Sequence, residues 1–261
     1  MRQSELFWPG SAEALEQLAV WVRQAGQIGL KYFEKLDAIH FKPDKTFVTE
    51  ADLEIEAFLV ERLRPAYPDY GLISEEGARS EQAPSSAYTW AIDPLDGTTA
   101  FTQGLPGWGI AVGLLHQDKP CFGLFYMPLL DDLTTSNSAA ESRALRSTWG
   151  PRGFVAVSAS SHRNYEFKVG YVRALGSAGA GLIYTARGSA TAAFIPKVRL
   201  WDLVAGAAIL QRAGGELRYL SGAPIDYAVL RDGRLAPDSV IAGHPDLLDE
   251  LQDAIRRRSN P

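Results

Sequence analysis

Cysteine and long apolar runs are scarce in this sequence. It contains one cysteine, Cys121, among 261 residues, so no disulfide can form within the chain. No window approaches the roughly 20 apolar residues of a membrane-spanning helix, and the stretch 107–115 is followed at once by polar residues. The first ten residues carry charges and a proline where a signal peptide would be apolar. These absences predict a cytoplasmic protein without a membrane partner.

Excess basic charge is absent too. The chain has 26 Lys and Arg against 31 Asp and Glu, a net charge of −5, so it has no global positive field to attract nucleic acid. Its four histidines are scattered and form neither HExxH nor a zinc-binding spacing. GxSxG and GxxxxGK motifs are missing as well. We therefore expect no nucleic-acid partner, and any chemistry must depend on carboxylates.

Apolar periodicity predicts an interleaved series of helices and strands. Helices are expected at 11–32, 49–65, 177–185, 202–213 and 245–258, and strands at 88–92, 109–115, 121–127 and 154–157. Residues 134–153 are rich in Ser, Ala and Arg, which favours a boundary between two halves, 1–140 and 150–261. This order of elements indicates layered α/β or α+β packing.

The stretch 90–99, WAIDPLDGTT, is the most informative part of the sequence. An apolar strand is predicted to end at Asp93, where Pro94 fixes the backbone, and the chain then turns at Asp96. Two carboxylates would project from one turn, and the amides of residues 97–99 would face an anion at a helix start. A plain Asp-Gly turn with a capped helix is the structural alternative.

Three other segments add acidic residues. Glu75 or Glu76 follows a short apolar run, and Asp202 stands where a helix is expected to begin. Thr49 and Asp52 have the spacing of a capping box. Taken singly, these segments have structural interpretations as a solvated turn, an N-cap and a capping box.

In order and spacing, the segments together resemble the inositol monophosphatase family of metal-dependent phosphatases. The resemblance extends from about residue 15 to 215, and its specificity lies in DPxDGT followed by a distant WDxxxG. The residues that carry it are Lys42, Asp44, 48–49, 51–52, Glu75, Glu76, 93–99, 201–202 and 205–206. It implies a layered α-β-α-β-α sandwich of two packed mixed α/β halves, and a homodimer.

The resemblance also implies a Mg²⁺ centre of two or three ions, in which Mn²⁺ can substitute. One ion would be held by Glu75, Asp93 and the backbone carbonyl of Leu95. A second would be held by Asp93, Asp96 and Asp202. Oxygen donors without a cysteine or histidine partner suit these hard cations.

Catalytic and substrate-binding roles follow from the same resemblance. Glu75 and Thr98 would position the attacking water, and Asp52 would support a third ion unless it only caps its helix. Lys42 or Asp44 would lie on a loop closing over that site. The implied substrate contacts are Asp96, Gly97, Thr98, Thr99, Gly176, Ser177, Ala178 and Asp202.

The implied activity is hydrolysis of a small polyol or sugar phosphate similar to inositol 1-phosphate, with lithium sensitivity. Ile195 stands near the position at which inositol-selective members have a glutamate, which puts inositol selectivity in question. A 3′(2′),5′-bisphosphate nucleotidase, suggested also by Ser161 and His162, and a histidinol-phosphatase are the enzymatic alternatives. The non-enzymatic alternative is a metal-sensitive regulatory binding protein.

Overall fold

A computed structural model describes residues 8–33, 39–41, 47–77, 86–138 and 144–258. The α-helices in these ranges are α1 (Ala12–Tyr32), α2 (Glu50–Ala66), α3 (Thr98–Thr102), α4 (Ser161–Asn164), α5 (Ala178–Ala186), α6 (Leu200–Arg212) and α7 (Pro245–Ala254). The strands are β1 (Ile39–Phe41), β2 (Phe47–Thr49), β3 (Gly71–Ser74), β4 (Tyr88–Asp96), β5 (Gly109–His116), β6 (Lys119–Met127), β7 (Asp132–Thr135), β8 (Val155–Val157), β9 (Tyr165–Phe167), β10 (Val172–Ala174), β11 (Ala192–Ile195), β12 (Glu216–Tyr219), β13 (Val240–Gly243) and β14 (Ile255–Arg257).

Two five-stranded sheets form the framework of the fold. The first has the order β3-β4-β5-β6-β7, and only its β3–β4 pair is parallel. The second has the order β10-β8-β11-β13-β12 and is also mixed. Two short pairs, β1–β2 and β9–β14, lie outside these sheets. The fold is therefore mixed α/β with two sheets, as predicted.

Helices cover both faces of the first sheet. α1 and α2 pack on one face through apolar residues such as Leu18, Ile55 and Leu59, which are fully buried. α5 and α6 fill the space between the two sheets, and α7 packs on β13. The layers thus follow the order α-β-α-β-α, and the division of the chain into 1–140 and 150–261 stays a prediction.

Close contact between α6 and the first sheet is possible because glycines face the helix. A Cβ added at Gly123 would lie 2.0 Å from the carbonyl oxygen of Ala205, so only glycine fits there. Within the described residues, we found no helix with the length and apolar character required to span a bilayer.

The predicted helix 245–258 was wrong at its end. α7 stops at Ala254, and Ile255–Arg257 forms the strand β14, which pairs antiparallel with Tyr165–Phe167. Ile255 is buried in the same apolar cluster as Leu248. Backbone pairing with a distant strand therefore overrides the local helical pattern.

Two further boundaries differ from the predictions. The strand expected to end at Asp93 continues to Asp96, with an irregular register between these two residues. The helix expected to begin at Asp202 begins at Leu200, so Asp202 is its third residue and not its N-cap. Both differences change the backbone position, and so the side-chain direction, of an acidic residue: Asp96 in the first case and Asp202 in the second.

Candidate metal centre

Parallel pairing of β3 and β4 brings the first two acidic residues together. Ser74, the last residue of β3, lies opposite Ile92, and the backbone N–H of Glu75 donates to the Ile92 carbonyl at 3.2 Å. Glu75 therefore follows the end of β3 directly beside Asp93 of β4. Asp93 is buried, whereas Glu75 is partly exposed.

α6 supplies the third carboxylate. Carboxylate oxygens of Glu75, Asp93 and Asp202 all lie within 4.8 Å of one another. Asp202 also accepts a hydrogen bond from the backbone N–H of Arg199, the N-cap residue, at 2.6 Å, which pairs this donor at the start of α6. The helix terminus therefore fixes the direction in which Asp202 points.

The irregular part of β4 directs Asp96 toward another helix. Asp93 accepts a hydrogen bond from the backbone N–H of Leu95 at 3.0 Å, within this irregular segment. The Asp96 carboxylate accepts from the backbone N–H groups of Ala178 at 3.2 Å and Gly179 at 2.5 Å. These donors form the N-terminus of α5, where the helix dipole favours a negative charge.

Crowding and burial make the ionised state of this cluster costly without a cation. Burial raises the pKa of Asp93 well above its usual value, and the charges of Glu75, Asp96, Asp202 and Asp52 add to the effect. Burial and the charge of Glu75 raise the pKa of Asp202 to about 8. Burial raises the pKa of Asp96 to about 6, although the hydrogen bonds from α5 oppose this rise. Such a set of carboxylate oxygens fits a hard divalent cation such as Mg²⁺ or Mn²⁺.

Thr98 lies at the border of the cluster. Gly97 occupies the N-cap of α3, so Thr98 is the first helical residue and not the cap. The Thr98 hydroxyl is directed toward the Leu95 carbonyl at 3.3 Å and Asp52 Oδ1 at 3.5 Å. Asp52 is fully buried on α2 and contributes to the electrostatics of Asp93.

The segment 176–178 lies against the turn after β4. Gly176 adopts a left-handed backbone, and a Cβ added there would lie 2.7 Å from the Gly107 carbonyl oxygen. Ser177 is the N-cap of α5, and its hydroxyl accepts from the Ala180 N–H at 3.0 Å. Close packing and capping thus account for these small residues, and their contact with substrate stays a prediction.

The other residues singled out in the sequence differ in burial and in their hydrogen-bond partners. Thr99 is exposed, and its carbonyl accepts a hydrogen bond from the Thr102 hydroxyl at 3.1 Å. Ile195 is buried in the core between the sheets. His162 is exposed, and its Nδ1 lies 2.8 Å from the Ala159 carbonyl oxygen. Lys42 and Asp44 lie outside the described residues.

Glu56 is a residue that the sequence analysis missed. Its Oε2 atom accepts the backbone N–H of Glu76 at 2.8 Å, directly after the candidate ligand Glu75. The signal was present in the sequence, because Glu56 follows Asp52 by four residues and so lies on the same face of a helix.

Fold and site together define a mixed α/β protein with an acidic centre suited to a divalent cation. The family model of the inositol monophosphatase family matches residues 12–257. The chain therefore belongs to the inositol monophosphatase family, whose members are metal-dependent.

Individual relatives also match this chain over most of its length. A putative Nus factor SuhB from Neisseria meningitidis is 32% identical, over 88% of this chain and 92% of the relative. The Nus factor SuhB from Xylella fastidiosa is 28% identical, over 89% of this chain and 90% of its own. The solved structure of an IMPase from Thermotoga maritima has a TM-score of 0.76 at 21% identity, covering 93% and 96% of the two chains, and supports the fold alone.

Proposed function

We propose that this chain is a phosphomonoesterase that requires Mg²⁺ or Mn²⁺ and hydrolyses a small polyol or sugar phosphate similar to inositol 1-phosphate. The observation that carries the proposal is the convergence of Glu75, Asp93 and Asp202 oxygens within 4.8 Å. These three residues come from the segment after β3, from β4 and from α6, in a chain that belongs to the inositol monophosphatase family. A structural role alone does not account for three carboxylates at this spacing, because their mutual repulsion is destabilising.

One ion would be held by Glu75, Asp93 and the Leu95 carbonyl, and a second by Asp93, Asp96 and Asp202. A bound divalent ion supplies positive charge that polarises the phosphoryl group and lowers the pKa of water. The partly exposed Glu75 carboxylate can accept a proton from the attacking water.

Thr98 and Asp52 orient the attacking water in the proposed mechanism. Asp52 Oδ1 lies 3.5 Å from the Thr98 hydroxyl, which can donate its proton to this carboxylate. The Thr98 oxygen can in turn accept a hydrogen bond from water. Proposed phosphate contacts are the amides of Gly97, Thr98 and Thr99, and proposed contacts with the substrate alcohol are Gly176, Ser177 and Ala178.

Phosphate release from a panel of esters tests the proposal. The purified chain should release inorganic phosphate after addition of Mg²⁺ or Mn²⁺ and none in EDTA. Inositol 1-phosphate, sugar phosphates, histidinol phosphate and adenosine 3′,5′-bisphosphate separate the enzymatic alternatives. Asp93→Asn provides an inactive control of nearly equal size. No release from any ester with either metal would refute a phosphatase function.

A second candidate function is a metal-sensitive regulatory role. It is favoured by the names of the relatives from Neisseria and Xylella, which are a putative Nus factor SuhB and a Nus factor SuhB. Calorimetry that detects binding of Mg²⁺ and of a phosphate ester, with no hydrolysis, would favour this second function. The acidic net charge of −5 still leads us to expect no nucleic-acid partner, which a binding assay with RNA and DNA would test.

We further propose that the protein is a cytoplasmic homodimer. Both expectations derive from the sequence and its family resemblance. Light scattering of the purified chain and cell fractionation test them separately.

A further inference from the structure

Glu56 is a buried carboxylate outside the set of candidate ligands. It lies on α2 with 9% of its surface exposed, and its Oε2 accepts the Glu76 backbone N–H at 2.8 Å. A charged acceptor makes this a stronger hydrogen bond than one between neutral groups. Glu56 therefore joins α2 to the segment that follows β3.

Two hydrogen bonds hold the backbone on either side of the Glu75 side chain. The Glu75 N–H donates to the Ile92 carbonyl of β4 at 3.2 Å, and the next N–H, that of Glu76, donates to Glu56. The first bond ties the segment to the sheet and the second ties it to a helix. Together they restrict the rotation of the backbone at Glu75, and with it the direction of the Glu75 carboxylate.

α2 is a rigid support for this contact. Ile55, Leu59 and Leu63 of the helix are fully buried in the core against the first sheet. Asp52, one turn before Glu56, lies 3.5 Å from the Thr98 hydroxyl. One packed helix thus contacts both the Glu75 segment and the turn that carries Thr98.

We propose that Glu56 is a positioning residue that holds Glu75 in the orientation needed to bind the divalent cation. The inference rests on the proposed function insofar as Glu75 is a metal ligand. Glu56 acts through the backbone and does not itself ligate the ion. Its required property is a hydrogen-bond acceptor at the right reach, and its negative charge is secondary.

Three substitutions at Glu56 separate the effect of the hydrogen-bond acceptor from the effects of charge and side-chain length. Glu56→Gln keeps an acceptor oxygen at the same reach and removes the charge, whereas Glu56→Ala removes both. Glu56→Asp keeps the charge but shortens the side chain by one methylene. Positioning predicts that Gln retains cation affinity, while Ala and Asp lose it.

Mn²⁺ binding measured by electron paramagnetic resonance provides a readout without catalysis. We expect Glu56→Ala and Glu56→Asp to weaken Mn²⁺ binding about 10-fold, the lower end of the range for partners that orient metal ligands. Glu56→Gln should remain within about twofold of the unmodified chain on the same reasoning. Glu54→Ala, an exposed residue of the same helix that contacts Tyr32, is the matched control and should leave binding unchanged.

Amide hydrogen exchange in EDTA tests the contact directly. The Glu76 N–H should exchange faster in Glu56→Ala and remain protected in Glu56→Gln. Unchanged Mn²⁺ affinity in Glu56→Ala would overturn the proposal, as would equal losses in Ala and Gln. If the unmodified chain binds Mn²⁺ but hydrolyses no ester, only the phosphatase function fails, because the comparison of variants still reports on positioning. If it binds no Mn²⁺, the positioning proposal fails, whereas the phosphatase function is still judged by phosphate release with Mg²⁺.

Discussion

Replacement of Asp96 by asparagine should stabilise the protein when no metal is present. Burial raises the pKa of Asp96 from 3.8 to about 6, despite hydrogen bonds from Gly179, Ser177 and Ala178. One pKa unit corresponds to about 1.4 kcal/mol, so ionised Asp96 costs the metal-free fold about 3 kcal/mol. The metal-free protein therefore carries a cost that a neutral side chain of similar size avoids.

The sign of the pH dependence follows from the raised pKa. The folded state binds the Asp96 proton more tightly than the unfolded state, whose pKa is near 3.8. Stability is therefore lost as pH rises through the interval from 3.8 to about 6 and stays low above it. Near pH ~5 only about half of the cost has accumulated.

Asparagine also has a cost of its own. Its carbonyl can accept from Gly179, but its NH₂ group faces the second donor, Ala178, so about 1 kcal/mol of hydrogen bonding is lost. The net gain near pH ~8 is about 2 kcal/mol. For a chain of this size that gain raises the Tm by roughly 4–8 °C, and near pH ~5 the rise should shrink to roughly 1–2 °C.

Thermal unfolding in EDTA at these two pH values measures the effect. Asp253→Asn, a change at an exposed position on α7, is the control and should leave the Tm unchanged. Asp96→Asn should at the same time abolish turnover with added Mg²⁺, because it removes a proposed ligand. A lower Tm for Asp96→Asn at both pH values would refute the reasoning.

Three other predictions concern the proposed chemistry. Thr98→Ala should lower kcat by about 10²–10⁴-fold with little change in KM, because only water positioning is lost; an unchanged kcat with a lower Tm would indicate a structural role. LiCl should inhibit turnover at high Mg²⁺ more than NaCl at equal ionic strength, and equal inhibition would contradict lithium sensitivity. Mg²⁺ affinity measured by calorimetry should increase with pH, because Asp96 and Asp202, with pKa values of about 6 and about 8, must lose protons to bind; a pH-independent affinity would contradict this ligand set.

Local sequence patterns predicted much of the fold and three members of the acidic cluster. The apolar runs of β5 and β6 and the helix expected at 177–185, observed as α5, agree with the structure to within a few residues. Glu75, Asp93 and Asp202 were predicted together from short motifs and a family resemblance, and the structure brings their oxygens within 4.8 Å. Periodicity, capping residues and motifs depend on neighbours only a few positions away, so the sequence alone can indicate them.

Tertiary structure decided which partners the acidic residues have. Asp96 reaches amides of α5 that are 82 and 83 positions later in the chain, and Glu56 reaches an N–H 20 positions later. The strand at Ile255–Arg257 likewise exists because Tyr165–Phe167 lies beside it. Such contacts form when separate elements pack into one core, and their free energy depends on burial and on distant donors that no local period encodes.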